Sequence, residues 1–134
     1  MIYKTGQVVW CDLEKYRGKT AVVIIINKLK NGEYLAVNTT TRKSALDCNR
    51  YNSRVLVNGF KKQFVAKADN VLIVKENQLK DIQGELDLET YRKVLRGIKN
   101  AKAGVEYFEK KGIKPPHLDR EKDLLKKINV KGVK

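Results

Sequence analysis

The stretch Ala21-Val22-Val23-Ile24-Ile25-Ile26 constrains this chain more than any other. β-Branched side chains are stiff at χ1 and favour extended backbone. Successive side chains of a strand point to opposite faces, so an unbroken apolar run leaves no face for water. The strand predicted over Lys19–Leu29 is therefore interior to a sheet and covered on both sides. Asn31-Gly32 follows as a strong hairpin signal, because a type I′ turn needs positive φ at both central residues. Glu33–Asn38 (EYLAVN) is the returning strand.

The flanking sequence extends this pattern. Gln7–Leu13 (QVVWCDL) reads as a short strand opened by Gly6, and Arg54–Val57 as another. Asn58-Gly59 repeats the hairpin signal, with Phe60–Lys67 as partner strand and Val71–Val74 as a final short strand. Thr39–Ser53 is polar and basic without clear period and reads as a long loop. Five to seven short strands at such spacing predict a small barrel or sandwich.

Beyond Glu76 the character changes. Gln78–Gln83 is expected to form one helical turn, broken by Gly84. Asp87 is a good N-cap, with Glu89 in the first turn, where the helix dipole favours negative charge. Tyr91, Val94, Leu95, Ile98, Ala101 and Val105 follow the spacing of an amphipathic helix. Gly112 is its expected stop, with Pro115-Pro116 beyond. A last basic helix is expected over about 119–129, with a weak stripe at Leu124, Leu125 and Ile128. The division expected is a domain over residues 1–111 and a basic C-terminal extension over 112–134.

Charge narrows the partners. The 134 residues carry 29 Lys plus Arg against 15 Asp plus Glu, a formal net charge of +14. Residues 91–134 hold 14 basic and 5 acidic groups, so most of the excess lies in the last third. Such a balance predicts a polyanionic partner: nucleic acid, an acidic protein or an anionic surface. The longest apolar run is six residues, against the ~18 of a membrane span, and the N-terminus lacks a secretory apolar region. A cytoplasmic protein is expected. Cys11 and Cys48 have no CxxC spacing and read as free thiols, and the single His117 lies beside Pro115-Pro116. No metal or cofactor is expected. Catalysis would fall to Arg, Lys, Thr, Tyr or carboxylates.

Three stretches resemble the MazF/PemK (Kid) family of toxin–antitoxin ribonucleases. They are Tyr3–Leu13, Lys19–Ile24 with Asn27 following, and the run from Ala68-Asp69-Asn70-Val71 through Leu79-Lys80-Asp81-Ile82-Gln83-Gly84-Glu85-Leu86-Asp87. Together they span about residues 3–103. The resemblance implies an α+β, mostly β fold, an SH3-like barrel of MazF/PemK/CcdB type with a C-terminal helix. It also implies a homodimer, single-stranded RNA as substrate and an acidic antitoxin as partner. Residues after about 112 have no counterpart in the family pattern. Two family arginines are replaced here by Lys19 and Lys67. Lysine is a point charge where arginine offers a planar fork to phosphate.

The resemblance places the chemistry on Lys19, Thr39, Asp69 and Lys67. Metal-independent RNA cleavage uses the adjacent 2′-OH as nucleophile and leaves a 2′,3′-cyclic phosphate. Asp69 is the expected base. Lys19 or Lys67 would stabilise charge or act as acid, and the Thr39 hydroxyl would donate to phosphate. Arg17 stands near enough in sequence to restore a guanidinium. Asn38, Thr40, Thr41, Arg42, Lys43 and Arg50 are the expected RNA-binding residues, on a loop where cations adjoin Tyr51 and amides. The structural alternatives are a turn or cap role for Asp69, a solvated edge charge for Lys19, strand-end packing for Thr39–Thr41 and a core role for Trp10. The basic tail could hold RNA, hold an antitoxin or be disordered. The leading expectation is a sequence-specific endoribonuclease toxin. The alternatives are a catalytically weak or inactive PemK-like fold that binds RNA or a protein, and a basic adaptor that touches no RNA.

Overall fold

The computed structural model describes residues 2–13, 20–49, 51–116 and 121–128. Among them are strands β1 (Gln7–Asp12), β2 (Thr20–Lys28), β3 (Glu33–Thr40), β4 (Arg54–Val57), β5 (Phe64–Lys75) and β6 (Leu79–Glu85). Two helices follow, α1 (Leu88–Lys110) and α2 (Glu121–Lys127). The strands form one antiparallel sheet in the order β4-β5-β3-β2-β1-β6.

β2 is interior, between β1 and β3, and both its faces are covered as its sequence requires. Ile24 and Ile26 pack on the helix side with Val8, Leu35, Val37, Val94 and Ile98. Val23 and Ile25 pack on the opposite side with Tyr3, Val9, Cys11, Tyr34, Ala36 and Leu79. This second cluster is enclosed by the curl of the sheet itself, as in a small barrel. The hairpin joining β2 to β3 turns at Asn31 (φ 62°) and Gly32 (φ 71°), the two positive values a type I′ turn demands.

α1 begins where capping chemistry places it. The Asp87 carboxylate accepts from the Thr90 N–H at 2.7 Å and that contact holds its pKa below the usual carboxylate range. Val94, Gly97, Ile98, Ala101 and Val105 form its buried face. Gly112 (φ 70°) follows the last turn, in the left-handed conformation expected of a helix stop. The tail is not a free basic helix in residues 121–128. Leu125 is fully buried and Ile128 nearly so, in the same cluster as Val57 and Val105. Lys102 donates to the Ile128 carbonyl at 2.6 Å, and Lys126 pairs with Glu109 at 2.9 Å.

Several elements differ from expectation. Gln78–Gln83 is not a helical turn. A short 3₁₀ turn, Glu76–Gln78, leads into strand β6, which pairs with β1. Local sequence there is weakly patterned, and pairing with a distant strand decides the outcome. Thr39–Ser53 is not wholly loop: β3 continues to Thr40, and Lys43–Cys48 forms a 3₁₀ segment. Asn58-Gly59 does not make a two-residue hairpin, since β4 ends at Val57 and β5 begins at Phe64. The strands expected at Phe60–Lys67 and Val71–Val74 are joined as β5. Within it, Lys67 lies opposite Asn38 and Val71 opposite Val37, so Ala68, Asp69 and Asn70 form a bulge.

α1 approaches that bulge through Gly97, where a Cβ would stand 2.6 Å from the Ser53 carbonyl oxygen and 2.9 Å from the Ala68 Cβ. In an exposed helix, Gly→Ala stabilises by about 1 kcal/mol. Here overpacking should reverse the sign, so Gly97→Ala is expected to destabilise by about 1–3 kcal/mol in urea unfolding.

Candidate nucleic-acid interface

Alternation along β3 assigns its residues to faces. Leu35 and Val37 pack toward the helices, Tyr34 and Ala36 toward the interior of the curl. Thr39 thus falls on the helix side and Asn38 on the other. Directly opposed residues share a face, so the row Asn38–Lys67–Arg54 across β3, β5 and β4 lies on the side away from the helices.

Past the end of the helix-side core, the sheet opens into a groove of about 530 Å³. Val8, Val22, Phe60 and Phe64 make its apolar floor, and Trp10 lies half-buried along it. Thr39, Thr40 and Thr41 supply hydroxyls at one side, and Lys61 and Lys62 supply exposed cations at the other. Phe60 and Phe64 are tilted against each other with centroids 5.4 Å apart. Gly84 admits the Phe60 ring: a Cβ there would sit 2.7 Å from Phe60 Cε1. Gln63 donates to the Asn58 side chain and closes the loop that carries the two lysines.

The Thr39 hydroxyl donates to the Val22 carbonyl at 2.5 Å. Its oxygen can accept from a ligand at once, whereas donating to a phosphate requires rotation away from that carbonyl. Thr40 Oγ1 accepts from the Arg42 N–H at 3.2 Å, turning the chain at the groove's edge. Arg42 and Lys43 follow, both exposed.

Asp69 is elsewhere. It is 4 % exposed, and both carboxylate oxygens accept from Arg54: Nε to Oδ1 and Nη2 to Oδ2, each at 3.1 Å. Asp69, the expected base, thus faces Arg54 and not the groove. The bulge re-aims its side chain onto Arg54, and neither Asp69 nor half-buried Lys67 lines the groove. Asn38, 2 % exposed, also lies off the groove, and its Oδ1 accepts from the Thr39 N–H. The described groove lining holds no carboxylate. Lys19, Arg17 and Arg50 lie outside the described residues, as does His117. Cys11 is buried, and that burial pushes its thiol up to about 11, out of the range of a nucleophile at neutral pH. Among the described residues no cluster of three or more His, Cys, Asp or Glu is placed to hold a metal.

Residues 4–101 match the model of the PemK-like, MazF-like toxins of type II toxin–antitoxin systems. The chain belongs to that family. Its fold is similar to a mycobacterial endoribonuclease solved with its cognate antitoxin, at 21 % identity and TM-score 0.62, covering 75 % of this chain and 94 % of that one. It is similar to the Mycobacterium tuberculosis toxin MazF-mt6, at 20 % identity, TM-score 0.55, and 71 % and 94 % coverage. It is also similar to MazE–MazF from Deinococcus radiodurans, at 15 % identity, TM-score 0.57, and 85 % and 100 % coverage. No curated protein matches in sequence. No described helix is long and apolar enough to cross a membrane.

The family match ends at 101, so the latter part of α1 and all of α2 lie beyond it. Sequence reasoning missed Lys61, Lys62 and Phe60 as groove residues and Arg54 as the partner of Asp69. The stretch Phe60-Lys61-Lys62-Gln63-Phe64 did carry a signal, two cations between two aromatics after a turn. It was absorbed into a strand prediction. Arg54 carried none, because its partner lies 15 residues away across a hairpin.

Removing one member of a buried ion pair strands the other. Asp69→Asn is expected to destabilise the fold by about 3–5 kcal/mol, measured by denaturant unfolding.

Proposed function

We propose that this chain is a toxin of the endoribonuclease type that takes single-stranded RNA into the groove along Trp10, Thr39–Thr41, Lys61 and Lys62. The observation that carries this reading is the groove itself. An apolar floor with a half-buried indole and a phenyl ring offers stacking surfaces, and two free-standing lysines face a hydroxyl row. Stacking and phosphate neutralisation are the two sources of affinity for single strands. The family membership and the endoribonuclease descriptions of its structural neighbours support the same reading.

In metal-independent cleavage the 2′-oxygen attacks the adjacent phosphorus as its proton passes to water. The P–O5′ bond breaks, and the departing 5′-oxygen takes a proton from a lysine, leaving a 2′,3′-cyclic phosphate and a 5′-OH. Thr39 contributes by accepting from the 2′-OH, or by turning to donate to an oxygen of the reacting phosphate. The lysines, with Lys19 at the chain's entry into β2, offset the charge that develops on the phosphorane. Lys67 and Asp69 act from outside the groove. An acidic antitoxin competes for the same basic groove, the toxin works as a homodimer, and the setting is cytoplasmic. A second reading, an RNA binder with weak or no cleavage, is favoured by one observation: the described groove residues include no carboxylate to serve as base.

Incubation of the purified chain with a long unstructured RNA in EDTA separates the two. Fragments ending in 2′,3′-cyclic phosphate support the toxin, and intact RNA with a salt-dependent shift supports the binder. Thr39→Ala should lower the cleavage rate about 10²-fold, as loss of a transition-state contact does. Lys61→Ala with Lys62→Ala should weaken binding to all sequences and reduce the slope of log K against log salt by about 1.4, from two lost phosphate contacts at ~0.7 each.

A further inference from the structure

The side of the sheet away from the groove carries a second arrangement of polar groups that the groove does not use. Arg54 is its hub. Its Nε and Nη2 hold Asp69, and its Nη1 donates to the Ala45 carbonyl at 2.9 Å. Ala45 lies within the 3₁₀ segment Lys43–Cys48. The far end of the same segment is tied as well: Asn49 Oδ1 accepts from the N–H groups of Ser53 and Arg54, at 2.8 and 2.9 Å. A side chain and a backbone from one residue thus fasten both the middle and the end of a segment whose start, Thr41-Arg42-Lys43, borders the groove.

We propose that Arg54 and Asp69 are positioning residues, a buried ion pair that fixes Lys43–Cys48 so that Arg42 and Lys43 meet the RNA backbone as it leaves the groove. This rests on the groove as the RNA site. Asp69 orients the guanidinium bidentately, the geometry that a planar fork and a carboxylate share. With two of its edges so held, Arg54 presents Nη1 to one carbonyl only. Lys67 stands directly opposite Arg54 in the β4–β5 ladder, a like charge that Asp69 offsets. Neither member of the pair needs to touch RNA. The cations they place do, and Asp47 is the only acidic residue on the segment, itself exposed.

Steady-state cleavage of a labelled single-stranded RNA by the full-length chain tests this, alongside Kd for a 2′-deoxy analogue that cannot be cut. The variants are Arg54→Lys, Asp69→Asn and both together, each checked for native circular dichroism at the assay temperature. The expected result is a rise in KM and in analogue Kd by about tenfold, the loss of about one charge-assisted phosphate contact, with kcat within about threefold of the wild type. The double variant should be no worse than the weaker single, because the pair acts as one device. Loss of kcat in Asp69→Asn at unchanged KM and Kd, with the acid limb of the pH–rate profile abolished, would make Asp69 a catalytic base and overturn the proposal. Unchanged KM, Kd and kcat in a folded Arg54→Lys would overturn it too. If Asp69→Asn does not fold, Arg54→Lys, which keeps the charge, decides alone. A wild-type chain that binds the analogue but cuts nothing refutes the toxin reading, while the Kd comparison still judges the positioning role. One that neither binds nor cuts refutes both.

Discussion

A strand with no face for water obliges the rest of the chain to supply two covers, and in this protein both are visible. On one side of β2 the cover is the cluster to which α1, α2 and Tyr51 contribute, α2 packing on α1 and β5. On the other it is the sheet's own curl, completed by Tyr3 and by Leu79 of β6. Burying Ile24 and Ile25 alone is worth on the order of 1.5–3 kcal/mol each. Anything that loosens either cover exposes them. Val8 and Phe64 belong to the first cluster and Val22 and Phe60 pack against it, so the apolar floor of the groove is the margin of that core.

The distribution of charge takes on a different meaning once the helices are placed. Much of the basic excess of residues 91–134 lies on α1 and α2, which match the sheet through their apolar faces and hold some of their cations internally. Lys102 caps the Ile128 carbonyl, Lys126 pairs with Glu109, and Lys111 lies 4.7 Å over the Tyr107 ring. The lysines that line the groove come instead from the β4–β5 loop. Net charge indicated a polyanionic partner without indicating where on the surface it would bind.

Legibility in the sequence followed the range of the interactions. The β2–β3 hairpin, the Asp87 cap, the α1 stripe and the Gly112 stop were readable because each depends on neighbours a few residues apart. β6 was misread because its strand character comes from pairing with β1, 68 to 78 residues earlier. The site was half readable. Thr39–Thr41 were found at the end of β3, through the family resemblance, and line the groove. Asp69 is named as base by the same resemblance, and the bulge that turns it onto Arg54 has no local signature. Trp10, expected chiefly as core, lies half-buried along the groove.

The bulge at Ala68–Asn70 also sets the parity of β5. Before it, the even-numbered residues Phe64, Ala66 and Ala68 face the helices; after it, Val71 does so, while Leu72 and Val74 face the curl. An odd number of extra residues has exchanged inside for outside halfway along one strand. The strand is therefore a splice of two frames. Without the bulge, a single uniform alternation from Phe64 onward would turn Val71 to the curl and Leu72 and Val74 to the helices, presenting half of β5 to the wrong core. The odd count of extra residues in the bulge is thus what keeps both halves of β5 on their own cores.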